Sequence, residues 1–342
     1  MATQPDSRVY RSVSRARIAD RLQVPQAWLK AAKQQFPVVW PAYYFHLIKD
    51  QDDPIAKMGK PDPEEWRSHA NDLTDPVGDH AKRVLDFIVR KHMDRIIVLV
   101  TKRCHFYCRF CFRRDEPPTG PMTPDQWDQL VRYVQANPEI KEVILSGGDP
   151  LTLSDSELNR IASRLRDETA IARWRIHTRA PVHYPQRVTK QLVLALDVGL
   201  PLRVVTHFNH DQELTHESRR ISALFQEAGT PLLNQAVLLK GVNDTVVDQA
   251  QLWFQLSKLG VEGHYLHHPD RVAGNDRFRV TIERGMQIYD GLRAECSQAP
   301  PYVIDLPDGK GKVPVMDLDD LGEGWYGYQH PGGDVSRFRD IV

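Results

Sequence analysis

The chain has 342 residues, 41% of them hydrophobic and 26% charged, with 45 basic residues balanced by 45 acidic ones. That length accommodates one large core, alone or with an appendage. A formal charge of zero gives no bulk attraction to nucleic acid or to an anionic membrane. No apolar run approaches the roughly 20 residues of a membrane span, and Met1 to Val24 lacks the apolar stretch of a secretory leader. Four cysteines in so long a chain do not make a disulfide framework, and three of them fall within eight residues. Clustered thiols without an export signal point to metal ligands in a reducing compartment, so the cytoplasm is the expected location.

In chain order, residues 1–90 are rich in Trp, Pro and charge. They are expected to form a mostly helical N-terminal extension, with a helical stretch near Pro76–His92. From Arg95 onward β-branched runs alternate with amphipathic helical patterns. The runs are Ile96–Val100, Glu142–Leu145, Trp174–His177, Leu202–His207, Leu232–Leu239 and Gly263–His267. After the first they recur about every 30 residues, the length of one βα unit. Near-continuous apolar runs such as IIVLV suit strands covered on both faces of a parallel sheet. Thr123-Pro124-Asp125-Gln126 and Ser154-Asp155-Ser156-Glu157 read as capping boxes, and Gly229 and Gly260 stand where helix C-terminal glycines belong. The expected fold is α/β, a partial (β/α)6-type barrel over residues 91–300, with its chemistry at the C-terminal ends of the strands. Residues 301–342 form a short C-terminal segment: a strand-like run at Tyr302–Leu306, a Gly/Lys loop, and an acidic, Gly-rich tail.

Immediately after the first run comes Cys104-His-Phe-Tyr-Cys108-Arg-Phe-Cys111. Three thiolates at this spacing can hold three irons of a cubane cluster and leave the fourth open to a small molecule. A structural zinc site needs a fourth nearby Cys or His; His105 is badly directed and Cys296 is remote in sequence. The spacing, the aromatic residue before the last Cys and the place after the first strand resemble the radical-SAM superfamily signature. That resemblance implies a [4Fe–4S] cluster on Cys104, Cys108 and Cys111, with S-adenosylmethionine (SAM) on the open iron. One electron would cleave SAM to methionine and a 5′-deoxyadenosyl radical. Ser146-Gly147-Gly148-Asp149, at the end of the second run, resembles the superfamily's glycine-rich SAM loop, where glycine admits a close approach of backbone to ligand.

The strings CHFYCRFCFRR at 104–114, SGGDPL at 146–151, THFNH at 206–210, LLNQAVLLKGVND at 232–244 and PDGKGKVPV at 307–315 together resemble the lysine 2,3-aminomutase family, over roughly residues 75–316. The resemblance implies pyridoxal 5′-phosphate (PLP) as a second cofactor, held by Lys312, with Lys310 as a local competitor. A radical at the substrate β-carbon cannot displace a saturated amine, whereas the nitrogen of an imine to PLP can be attacked. Arg95 matches an arginine that pairs with the PLP phosphate, and Asn234 is also implied at PLP. His210 and Gln235, with the 146–149 loop, are implied at SAM. Arg113 matches the arginine that holds the substrate carboxylate. Two positions depart from the pattern: His92 replaces a tyrosine and Phe110 a histidine.

Asp270 and Asp305 stand where the family clamps the distal ammonium of lysine. Two carboxylates around one buried cation select a basic side chain and disfavour glutamate. The expected reaction is conversion of L-lysine to β-lysine. Arginine 2,3-aminomutation and the formation of β-lysine for elongation factor P remain alternatives. The larger aminomutases end in a cysteine-bearing zinc tail, whereas no cysteine follows Cys296 here, so no zinc is expected. The expected partners are a small amino acid substrate, an electron donor such as flavodoxin or ferredoxin, and a second copy in a homodimer.

Overall fold

The computed structural model describes residues 12–67, 69, 72–116 and 119–341. A ten-stranded sheet follows chain order from end to end. Its strands are β1 (Arg83–Leu85), β2 (Ile88–Val89), β3 (Arg95–Thr101), β4 (Glu142–Gly147), β5 (Arg173–His177), β6 (Leu202–Thr206), β7 (Leu232–Val237), β8 (Glu262–His267), β9 (Tyr302–Asp305) and β10 (Lys312–Pro314). Strands β3 to β9 run parallel, while the hairpin β1–β2 and strand β10 add antiparallel edges. The two edges do not pair among the described residues, so the sheet is a partial barrel, as expected.

The six expected strands form with boundaries within a residue or two of the apolar runs. Ile96, Val98, Val100, Val143 and Leu145 are fully buried, and each such side chain contributes about 1.5–3 kcal/mol by leaving water. Both capping boxes form. Thr123 accepts from the Gln126 N–H and Ser154 from the Glu157 N–H, opening the helices Pro124–Ala136 and Asp155–Glu168. Those helices bury Trp127, Leu130 and Val134, and Leu158, Ile161 and Leu165, against the sheet. Gly229 and Gly260 close later helices at φ of 65° and 67°, a conformation that penalises a Cβ.

One expectation fails. The segment 76–92 is not helical: a short 3-10 turn at His80–Lys82 leads into the β1–β2 hairpin, whose β2 pairs antiparallel with β3. Val84, Ile88 and Val89 are β-favouring, and the open edge of β3 supplies the partner that makes so short a hairpin worthwhile. The acidic, Gly-rich tail folds as a sheet of its own. Strands β11 (Asp319–Gly322), β12 (Trp325–Gln329) and β13 (Val335–Arg339) form a separate antiparallel sheet. Glu323 and Gly324, at φ of 52° and 76°, make the two-residue turn between β11 and β12. Tyr326 and Phe338 face inward and stack, while the Asp340 carboxylate accepts from the Ile282 N–H at 2.7 Å and docks the sheet on a barrel helix.

The helices Arg15–Leu22, Gln26–Gln35, Ala42–His46 and Pro54–Gly59 precede the barrel. Among the described residues no helix is long and apolar enough to cross a membrane.

Candidate active site

The loop after β3 carries the thiols, and three sets of contacts shape it. The Gly148 N–H donates to Thr101 O at 2.7 Å and the Asp149 N–H to Arg103 O at 2.8 Å, so the loop after β4 is fastened to the start of the cysteine loop. A Cβ on Gly148 would lie 2.3 Å from Arg103 O, and one on Gly147 (φ 114°) would lie 2.2 Å from Thr101 O. Only glycine permits that approach. Phe106 packs among Trp40, Tyr44 and His183, with ring centroids 4.8–4.9 Å away. Finally, the buried Glu65 carboxylate binds Arg109 and Arg114, two residues before and three after Cys111, and the Arg109 N–H donates to Met58 O at 2.9 Å.

Cys104, Cys108 and Cys111 are free and line one cavity of about 840 Å3. Burial pushes the Cys104 thiol well up, with further contributions from Asp149, Cys111 and Cys108. Burial and the neighbouring Cys108 push Cys111 up to about 11. The thiols therefore sense one another. Cys296, at the end of the helix Ile282–Glu295, does not line the cavity. Among the described residues no three His, Cys, Asp or Glu side chains converge as a mononuclear metal set; a cubane spreads its thiolates over separate irons.

The cavity extends along the inner face of the sheet to Arg95. Ser146, Gly147, Gly148, Asp149 and Gln235 line it, although the Asp149 carboxylate is already committed. It accepts from Thr178 Oγ1 at 2.6 Å and from the N–H groups of Leu151 and Arg179 at 2.9 and 3.0 Å. Asn234 and His210 do not line the cavity. Neighbours on a strand face opposite ways, and the Asn234 side chain, unlike Gln235, binds backbone: it accepts from Phe208 N–H at 2.7 Å and donates to Phe208 O at 3.1 Å. His210 Nδ1 accepts from the Gln212 N–H at 3.1 Å and caps the next turn. These two side chains are thus placed as fasteners rather than as cavity groups.

Lys312, on β10, is directly opposite Asp305, on β9. Its ammonium forms an ion pair with the Asp305 carboxylate and lies 3.1 Å from His267 Nδ1. Lys310 also borders the cavity but turns toward Asp334, at 3.4 Å, in the C-terminal sheet. Asp270 lines the same region; burial, and then the Asp305 carboxylate, push it up to about 7. Arg113 donates to Asp79 from Nη2 at 2.6 Å, and Lys91 Nζ lies 2.8 Å from the other oxygen. Against the cost of burial, these two cations hold Asp79 at about 2. Arg95 makes no side-chain hydrogen bond or ion pair among the described residues, and the neighbouring His92 is held below its ordinary value by burial and by Arg95.

Sequence reasoning missed several groups here. His177, His207, His264 and His267 all line the cavity, and burial depresses each of them, His264 to about 4. They are neutral at pH 7. Their signal was position, since His177, His207 and His267 stand at or just after strand ends. Arg179 and Glu213 were missed as well.

A model of the Radical SAM superfamily matches residues 98–252. The L-lysine 2,3-aminomutase of Clostridium subterminale is 38% identical over 282 residues, covering 80% of this chain and 67% of that protein. The chain belongs to the lysine 2,3-aminomutase family of radical-SAM enzymes. A putative L-lysine 2,3-aminomutase of Aquifex aeolicus is 34% identical over 84% of this chain and 80% of its own length. The glutamate 2,3-aminomutase of Clostridioides difficile is 34% identical over 84% of this chain and 70% of its own length. Family membership makes the protein a radical-SAM aminomutase and implies a [4Fe–4S] cluster and SAM. The three free thiols at one end of a single cavity, backed by a glycine loop that a Cβ would disrupt, fit that pair of groups.

Proposed function

We propose that the enzyme moves the amino group of L-lysine from C2 to C3, with the cluster on Cys104, Cys108 and Cys111 and with PLP on Lys312. The observation that carries this reading is the Asp270–Asp305 pair, which borders the same cavity as Lys312 and Arg113. Burial and the Asp305 carboxylate raise Asp270 to about 7 although Lys312 and Lys91 act against them, and Asp270 makes no ion pair among the described residues. Lys312 supplies one to Asp305 in this structure. With its Nζ committed to PLP, both carboxylates are left for the distal ammonium of the substrate. A glutamate side chain would add a third negative charge there.

PLP, when bound, supplies the electron system through which a nitrogen can migrate between adjacent carbons. The remaining tasks fall to this chain's own residues. Arg95, which makes no side-chain hydrogen bond or ion pair among the described residues, offers its guanidinium for a phosphate. Arg113 offers the bidentate fork for the α-carboxylate and exchanges its contact with Asp79 for it. Ser146 and the backbone of Gly147 and Gly148 border the thiol end, where SAM would bind, and Gln235 faces the same cavity. A low-potential one-electron donor such as flavodoxin or ferredoxin, and assembly as a homodimer, complete the reading.

The test is anaerobic reconstitution with iron, sulfide, PLP, SAM and dithionite, followed by separate incubation with lysine, arginine and glutamate. β-Lysine as the principal product is the expected result. Turnover of arginine in preference to lysine would move the substrate assignment, and turnover of glutamate alone would refute it.

A further inference from the structure

We propose that Arg179 raises the electron affinity of the iron–sulfur cluster through Cys108, and that Glu213 tempers this effect from the far side of the guanidinium. The inference rests on the reading of Cys108 as a cluster ligand.

Arg179 follows β5 at the head of the turn Ala180–His183. Its side chain is 8% exposed and that of Glu213 0%. Each branch of the guanidinium is used: Nε donates to His207 O at 2.8 Å, Nη1 to Cys108 Sγ at 2.8 Å and Nη2 to Glu213 Oε1 at 2.8 Å. Its backbone N–H is fixed by Asp149, and the Phe110 ring lies 5.5 Å from its central carbon. The group cannot turn away without breaking several bonds. Glu213 is equally fixed, accepting from Tyr44 Oη at 2.5 Å and from the N–H groups of Asn209 and His210 at 2.6 and 3.2 Å. Among the described residues neither Cys104 nor Cys111 accepts from a charged side chain, so the arrangement singles out one sulfur.

A buried donor with a full positive charge draws electron density from the sulfur it touches. Hydrogen bonds to cluster sulfurs and local net charge both govern cluster potential. Uptake of one electron from an external one-electron donor adds one negative charge to the cluster and requires no proton. A fixed cation beside a ligand sulfur therefore favours the reduced form, and the burial of the guanidinium limits its screening by solvent. The Glu213 carboxylate offsets part of that charge, and the Tyr44 hydroxyl in turn offsets part of the carboxylate. The series thiolate, guanidinium, carboxylate and phenol predicts shifts whose signs alternate along it.

The experiment is an EPR-monitored redox titration of the reconstituted full chain, with iron and sulfide assayed in each sample. Arg179→Gln should lower the midpoint enough to cut the reduced-to-oxidised ratio at a fixed poise about tenfold, or about 59 mV for one electron. Glu213→Gln should raise the midpoint, Tyr44→Phe should lower it by less, and Arg179→Lys should fall between wild type and Arg179→Gln. Unchanged midpoints in Arg179→Gln and Glu213→Gln, or shifts of the same sign, would overturn the proposal. If Arg179→Gln fails to hold iron, the opposite shifts of Glu213→Gln and Tyr44→Phe support it, and equal midpoints in those two refute it. Wild-type protein that binds no iron would instead sink the assignment of the cysteines.

Discussion

The two ends of the cavity are built in opposite ways. The thiol end comes from one continuous loop, fastened by backbone hydrogen bonds, a glycine pair and the buried Glu65–Arg109–Arg114 ion set. The far end collects Asp79, Lys91, Arg113, Asp270, Asp305 and Lys312 from separate parts of the chain; Asp79 and Asp305 pair with cations there, whereas Asp270 makes no ion pair among the described residues. On the proposed reading, the first end would hold a cluster that stays in place, and the second would meet a substrate with ions that exchange partners. The comparison predicts that loss of a thiol at the first end is all-or-none and that loss of a substrate-facing carboxylate at the second is graded.

The largest effect is expected from the cysteines. Ala substitution of Cys104, Cys108 or Cys111 should each abolish cluster assembly, whereas Cys296→Ala should retain about four irons per chain. Iron and sulfide assays with absorbance spectra check this, and a variant at 104, 108 or 111 with full iron would break the distinction.

Graded effects are expected at the aspartates. Asp270→Asn and Asp305→Asn keep size and remove one charge each. Breaking one half of a desolvated ion pair costs about 3–5 kcal/mol at most, and kcat/KM for lysine should fall by about two to three orders of magnitude. Cluster spectra should stay as in wild type. Wild-type kinetics in both variants would remove these residues from substrate recognition.

The smallest effect is a pH dependence. Asp270 titrates near pH 7, so it is neutral below that value and charged above it. Attraction for the substrate ammonium is therefore present above pH 7 and lost as the pH falls through 7. KM for lysine should rise about tenfold between pH 8 and pH 6, and Asp270→Asn should flatten the profile. A KM that falls on acidification would contradict the sign.

The same division explains what could be read from the sequence. The strands β3 to β8, their helix caps and the cysteine loop are contiguous patterns, and local chemistry announced them. The hairpin Arg83–Val89 is too short for its periodicity to outweigh neighbouring helix formers, and only the free edge of β3 decides it. The sheet β11–β13 was hidden because Glu323-Gly324 is a less familiar form of turn and because β11, Asp-Asp-Leu-Gly, is exposed throughout and rich in residues that disfavour strands. Resemblance to a family supplied Arg113, Lys312 and the aspartates, and these do converge on one cavity. It did not supply Asp79 as the resident partner of Arg113, nor the Cys108–Arg179–Glu213 chain, because those pairs join residues far apart in sequence. Asn234 and His210 differ from expectation because strand alternation and a helix cap use their side chains locally.

The claim that two cofactors are served independently by the two ends is tested most directly by comparing Lys312→Ala with Lys310→Ala. Both are purified with PLP, reconstituted anaerobically, and measured for the PLP absorbance band, the cluster EPR signal and β-lysine formation. Lys312→Ala should lose the band and the product while keeping the cluster signal, and Lys310→Ala should keep all three. Loss of the band in Lys310→Ala with its retention in Lys312→Ala would contradict the account.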